Sequence, residues 1–243
     1  MINIVIPMAG HGSRFSKAGY KDPKPLIPVN GRAMIELVID NLRPSKEHRF
    51  IFICQSEHIR NYPLRSLLEE KAPGCKIIEV SQVTEGAACT VLLAKELINN
   101  ADQLMIANCD QYIDVNIDEY IAVLDDASVD GLIMTMKAYD DKWSFIKLNE
   151  RGEITLVVEK KVVSDEATVG IYNYQHGSGF VEAAENMIAK NLRVNTEFYV
   201  APAYNEMIEG GGRIKYFNIG SLGQGMFGLG TPEDLAIFLR KFI

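Results

Sequence analysis

The chain opens on an unbroken apolar run, INIVIP over residues 2–7, and then alternates such runs with stretches of helical spacing. A run with no polar face predicts a strand covered on both sides. Residues 33–43 put Met34, Ile35, Leu37, Val38 and Leu42 on one helical stripe. Further apolar runs predict strands over 49–55, 76–80, 103–110 and 131–138. Helical spacing predicts helices over 63–72, 86–98 and 117–126, with Pro63 suited to a first helical turn. This alternation predicts a parallel, doubly wound sheet with right-handed crossovers. In that architecture ligands bind beyond the carboxyl ends of the strands.

The pattern changes in the second half. Residues 145–162 read as two short strands joined at Arg151-Gly152, and 167–174 as another strand. A helix is predicted over 177–192 with Ser178 as its N-cap. A mostly helical stretch follows over 197–212, stopped by a glycine run, then a strand over 213–219. The closing helix, 231–243, begins Thr-Pro-Glu-Asp: an N-cap, a proline at the first helical position, and acids against the positive end of the dipole. No linker, repeat or low-complexity segment divides the chain. The expectation is one α/β domain over 1–243, Rossmann-like, with a mostly parallel mixed sheet and a small antiparallel insertion walling one side of its edge.

Composition narrows the classes. Hydrophobic residues make up 47% and charged residues 23%, which fits a globular chain rather than a disordered one. A formal net charge of -7 argues against a nucleic-acid-binding surface. Cys54, Cys75, Cys89 and Cys109 form no C-x-x-C pair and read as free thiols in a reducing compartment. The N-terminus lacks a basic region, and no apolar run is long enough to span a bilayer. A soluble cytoplasmic protein with no membrane or nucleic-acid partner is expected.

The chemistry concentrates in residues 7–29, PMAGHGSRFSKAGYKDPKPLIPV, directly after the first strand. Glycines let backbone N–H groups approach an anion closely, and Arg14 and Lys24 offset phosphate charge. A solvent-exposed loop is the bland alternative, but it leaves Arg14 and Lys24 unexplained. The pattern is neither the phosphate loop G-x-x-x-x-G-K-[ST] nor a full dinucleotide fingerprint. Asp110, at the end of the predicted strand over 103–110, would share the loop's edge of the sheet.

MAGHGSRF followed by PKPLIPVNGRAMIE resembles the signature of the sugar-phosphate nucleotidyltransferase (pyrophosphorylase) family. Similar stretches continue in order: EGAACTVLLA at 85–94, NCD at 108–110, VVEK at 157–160, VGIYNY at 169–174, EFYVAPAYNEMI at 197–208 and GTPEDL at 230–235. The resemblance implies attack by an acceptor phosphate on the α-phosphorus of an NTP, with loss of pyrophosphate. It implies that Arg14 holds the β- and γ-phosphates and that Lys24 bridges the α-phosphate and the acceptor phosphate. Met8, Ala9, Gly10, Gly12, Ser13, Glu85, Gly86 and Asn108 would line the nucleotide, with Gly86 close to the base. Asp110 would bind Mg²⁺. Glu159, Lys160, Thr168, Gly170, Glu197 and Tyr199 would meet the acceptor. The nucleotide-binding half would then cover about 1–138 and the acceptor half about 139–243.

The chain departs from this family pattern twice. A second metal-binding aspartate, expected just before the last helix, falls on Gly228, so a second ligand would be missing or supplied from elsewhere; Asp234, at the helix start, is accounted for by the dipole. The usual E-K-P is Glu159-Lys160-Lys161. The leading expectation is a transferase coupling CTP or UTP/dTTP to a sugar 1-phosphate for a surface polysaccharide, with homo-oligomerisation left open. One alternative acceptor is a small non-sugar phosphate: phosphocholine, a polyol phosphate or a phosphorylated amino-acid derivative. A non-catalytic nucleotide-binding homologue and a glycosyltransferase are further alternatives. The second would normally carry D-x-D, which NCDQYID does not supply.

Overall fold

The computed structural model describes residues 1–10 and 12–242. Its centre is β1 (Ile2–Met8), whose apolar run is buried on both faces as its pattern requires. Beside it lie β2 (His48–Gln55), β3 (Lys76–Val80) and β4 (Gln103–Ala107), all parallel to it. The remaining strands of this sheet are β5 (Gln111–Ile113), β6 (Gly131–Lys137), β7 (Ser144–Leu148), β8 (Ile154–Glu159), β9 (Glu166–Tyr174), β10 (Ile214–Leu222) and β11 (Gly225–Gly228). The order is β3-β2-β1-β4-β9-β6-β10-β11-β5, with β7 paired to β9 and β8 to β7. The sheet is mixed and mostly parallel. Only β9, the β7–β8 hairpin and β5 run against their neighbours.

Helices cover both faces. Ile4, Ile6 and Met8 face one side, where they share a core with Ile35, Val38, Leu64 and Tyr120. These come from α2 (Met34–Leu42), α4 (Leu64–Lys71) and α7 (Ile117–Ile121). Val5 faces the other side and joins Val91, Phe180 and Tyr204, from α5 (Ala87–Leu92), α8 (Gly177–Ala189) and α9 (Tyr204–Glu209). There is also a smaller third core. Phe15, on the five-residue α1 (Ser13–Lys17), packs with Ile27, Phe227, Leu235 and Phe238. It ties the glycine-rich loop to α10 (Pro232–Lys241).

Several sequence expectations need correction. The helix expected over 86–98 is two, because Leu93 and Ala94 turn back with N–H bonds to Thr90 and Val91 three residues earlier. The chain resumes as α6 (Lys95–Ile98). The helix over 117–126 keeps α geometry only to Ile121 and tightens to a 3₁₀ turn over Ala122–Asp125. Ser178 does not cap α8. The N–H groups of Gly177 and Ser178 are satisfied by the carbonyls of Asp102 and Asn100 at 2.8 and 3.1 Å, so no side-chain cap is needed. Residues 197–200 are not helical; Glu197 bridges Val194 instead. Thr231 does cap α10, accepting from the Asp234 N–H at 3.1 Å. That helix was expected to run to Ile243, which lies outside the described residues. The short strands β5 and β11, and the helices α1 and α3 (Ser56–Asn61), were not foreseen.

Candidate active site

The loop after β1 is held by a side chain from the next strand. Gln55 Nε2 donates to the carbonyls of Ala9 and Gly10 at 2.9 and 3.0 Å. Met8 and Ala9 are buried beneath it. Gly12 takes a left-handed conformation, φ 59°, to start α1. That turn leaves Ser13 and Arg14 exposed, with Arg14 lining a cleft of about 300 Å³ at the sheet edge.

Lys24 stands on a 3₁₀ turn over Lys24–Leu26, directly after Pro23, and its ammonium donates to Asp110 Oδ2 at 2.9 Å. Burial by itself depresses an ammonium. The Asp110 carboxylate outweighs it, so the Lys24 pKa is raised and the side chain stays charged at neutral pH. Asp110 reaches this place because β4 ends at Ala107. Asn108 N–H adds one more rung to the β4–β9 ladder at the Gly170 carbonyl, 3.0 Å away, and beyond it the Asp110 carbonyl accepts from Leu229 N–H at 2.8 Å.

The facing wall is built by β9 and the hairpin. Because β9 runs against β4, its first half rather than its last reaches this edge, and Thr168 and Gly170 line the cleft beside Asn108. Gly170 is needed for that approach. Its φ is +81°, and a Cβ there would lie 2.1 Å from Asn108 Nδ2. Thr168 Oγ1 and Tyr172 Oη share a hydrogen bond of 2.9 Å. Glu159 ends β8 and also lines the cleft, with Ser144 Oγ donating to its Oε2. Burial raises the Glu159 carboxyl, while the Ser144 bond and nearby Lys160 hold it down; the net shift is upward.

Tyr199 lines the cleft as well. Lys160 donates to its hydroxyl at 2.6 Å and lies 4.8 Å from its ring centre. Glu197 is exposed nearby, and its charge acts on Glu159. Glu85 points away from the cleft: its carboxylate pairs with Arg193 at 2.6 Å, while its carbonyl accepts from Phe198 N–H at 2.8 Å. Gly86, φ +138°, lets the 197–200 segment approach, since a Cβ would lie 2.4 Å from the Phe198 carbonyl oxygen. In this structure its lack of a side chain is accounted for by the protein's own backbone.

Residues 4–204 match the family described as nucleotidyl transferases. The chain belongs to the nucleotidyl transferase family. It is similar to the nucleoside-diphosphate-sugar pyrophosphorylase from Vibrio cholerae RC9, with 28% identity and a TM-score of 0.82 over 98% of this chain and 99% of that one. It is also similar to a UDP-glucose pyrophosphorylase complexed with UDP-glucose, with a TM-score of 0.79 over 100% of this chain and 98% of that one. At 15% identity that second likeness concerns the fold alone. No curated protein sequence matches the chain.

In this nucleotidyltransferase the family pattern breaks at Gly228, and the surroundings show what fills the space. A Cβ at 228 would lie 3.2 Å from the Asp234 carboxylate. Asp234 is therefore more than a dipole partner: it accepts from Thr231 Oγ1 at 2.9 Å and lines the cleft. Ser144, Tyr172 and Gln111 also line it and were not singled out from the sequence. Gln111 alone carried a signal, as a polar residue directly after Asp110. Among the described residues, no helix is long and apolar enough to cross a membrane.

Proposed function

We propose that this nucleotidyltransferase couples an NTP to a phosphorylated acceptor and releases pyrophosphate. The observation that carries the reading is one cleft with two chemically distinct walls. One bears Arg14 and Asp110, to which Lys24 is paired; the other bears Glu159, Thr168, Gly170 and Tyr199. A sugar 1-phosphate is the favoured acceptor and a pyrimidine NTP the favoured donor, for cytoplasmic synthesis of a surface polysaccharide precursor. The similar structure named as a nucleoside-diphosphate-sugar pyrophosphorylase supports a sugar phosphate as acceptor.

Joining two phosphate anions needs positioning and charge neutralisation more than a covalent nucleophile. Met8, Ala9, Gly10, Gly12 and Ser13 form the loop against which the nucleotide rests, with Asn108 and the backbone of Glu85 and Gly86 contributing beside it. Arg14 draws charge onto the departing pyrophosphate. Lys24, held by Asp110, bridges the α-phosphate and the acceptor phosphate, lowering their repulsion. Glu159, Lys160, Thr168, Gly170, Glu197 and Tyr199 orient the acceptor.

The residues present fit a Mg²⁺ shared with the nucleotide. This ion is commonly bound through one or two carboxylates plus substrate phosphates. The cleft offers Asp110 and Asp234, and no group of three or more His, Cys, Asp or Glu side chains among the described residues forms an all-protein cage. Mg²⁺ would supply charge neutralisation on the phosphates.

The test is pyrophosphate release with each common NTP against sugar 1-phosphates, polyol phosphates, phosphocholine and phosphorylated amides. Release is expected only when NTP, Mg²⁺ and an acceptor are all present. Silence across the panel with intact NTP binding would overturn catalysis in favour of a regulatory nucleotide-binding role. Asp110→Asn is expected to raise the Mg²⁺ concentration for half-maximal rate roughly tenfold or more, because a lost charge-assisted contact is worth about 1.5–3 kcal/mol. An unchanged metal titration would remove Asp110 from the metal site.

A further inference from the structure

Among the described residues, five non-glycine residues hold a positive φ: Asn30, Lys160, Asn191, Asn195 and Thr196. Three of them fall in the loop that joins α8 to the segment 197–200. A fourth, Lys160, donates to the Tyr199 hydroxyl on that segment. Asparagine tolerates the left-handed region, but a β-branched residue does not, and Thr196 sits there at φ 71°. Backbone strain of this kind persists only where the surroundings over-determine it.

The group that does so is the Arg193 guanidinium. Its Nε donates to Asn191 Oδ1 at 2.7 Å and its Nη1 to the Thr196 carbonyl at 3.3 Å, so it spans the strained loop. Val194 and Glu197 close that loop with two N–H to carbonyl bonds of 3.0 Å. The same guanidinium pairs with Glu85 Oε2 at 2.6 Å, and its carbon lies 4.2 Å from the centre of the Phe198 ring, itself 2% exposed. Glu85 belongs to the loop before α5, whose backbone is bonded to Phe198 on both sides: Phe198 N–H to the Glu85 carbonyl and Ala88 N–H to the Phe198 carbonyl. One planar fork thus joins the strained loop, the ring that anchors the segment, and the Glu85–Gly86 loop. A lysine ammonium could not reach these separate acceptors and stack at once.

We propose that Arg193 is a positioning residue that latches the segment bearing Tyr199 to the loop bearing Glu85 and Gly86, so that a nucleotide resting on that loop steadies the acceptor side of the cleft. This rests on the nucleotidyl-transfer reading and adds to it a coupling between the two subsites. An exposed ion pair alone contributes little. Here the pair is one of four contacts made by a single rigid group, and the ring beneath it is buried. Coupling of this kind is shared by both ligands, so it is readable from the nucleotide alone.

The experiment compares the wild-type chain with Arg193→Met, which keeps a flexible apolar body over Phe198, and Arg193→Lys, which keeps the charge. Amide hydrogen exchange is followed over residues 85–90 and 194–200. The chain is first free, then bound to Mg²⁺ and the α,β-methylene analogues of ATP, GTP, CTP, UTP and dTTP, with binding checked by calorimetry. In the free chain both variants should exchange the Phe198 and Ala88 amides roughly 3- to 10-fold faster than wild type, the worth of about one hydrogen bond. A bound analogue should slow the Phe198 amide in wild type and leave it nearly unchanged in Arg193→Met. In turnover assays the acceptor KM should rise in both variants by more than kcat falls.

Free-chain exchange equal to wild type would overturn the latch. Faster exchange spread to β1 and β4 would mark general destabilisation and overturn it too. An analogue that binds wild type without slowing Phe198, or that slows it equally in Arg193→Met, would overturn the coupling, as would a kcat loss with acceptor KM unchanged. Failure of every analogue to bind would sink the transfer reading and the coupling together, and the free-chain exchange would still decide whether the latch exists.

Discussion

Replacing Lys24 by methionine is expected to lower the turnover number roughly 10²- to 10³-fold, the usual effect of removing one preorganised donor from developing charge. NTP affinity should fall far less, by roughly tenfold or under, since Arg14 and the loop backbone remain. The expectation follows from where Lys24 stands. A 3₁₀ turn after Pro23 fixes its backbone, and Asp110 holds its ammonium at 2.9 Å. The same carboxylate keeps it protonated against the depressing effect of burial. A charged group so held meets substrate phosphates with little reorganisation. Steady-state pyrophosphate release gives turnover, and calorimetric titration of an unreactive NTP analogue gives affinity. Equal losses in the two would make Lys24 a ground-state binding residue. Unchanged turnover would exclude it from the reaction.

Gly86→Ala should damage both stability and acceptor binding. The new methyl would meet the Phe198 backbone at 2.4–2.5 Å, on a φ of +138° that side chains rarely adopt. To make room, the 197–200 segment must retreat. That would break the bonds from Phe198 N–H to Glu85 and from Ala88 N–H to the Phe198 carbonyl, at 2.8 and 3.0 Å. Strain and two lost bonds together predict about 3 kcal/mol of destabilisation. For a chain of this size that is a melting-temperature drop of roughly 6–12 °C. Tyr199, next to Phe198, should move with the segment, so acceptor KM should rise more than NTP KM. A thermal melt indistinguishable from wild type would show that the two segments are not locked together here.

These two positions differ in how they could be read from sequence. Lys24 was visible because a lysine between prolines, after a glycine-rich loop, has no packing explanation. Gly86 was visible only as a glycine opening a helix, and the resemblance assigned its bareness to the nucleotide base. The structure supplies a nearer cause in Phe198, far along the chain. Asp234 shows the same limit. Thr-Pro-Glu-Asp fully accounts for a helix start, so nothing local signals that its carboxylate also fills the space beside Gly228 and enters the cleft.

The sequence by itself determined the parallel half. Strand β3 was legible residue for residue, β1 and β2 to within a residue at each end, and the loop, Asp110 and the Thr231 cap were legible too. Each rests on a pattern confined to a few residues: an apolar run, a helical stripe, a capping hydroxyl, a charge with no apolar neighbours. The tertiary structure alone decided that β9 inserts antiparallel between β4 and β6, and that β5 and β11 pair to close the cleft. It alone decided that Gln111 would be buried there with an unused donor. Those outcomes depend on hydrogen bonds between distant segments, such as Asn108 N–H to the Gly170 carbonyl. Local periodicity cannot encode them, because a strand's pattern fixes which face is buried but not which neighbour completes its ladder.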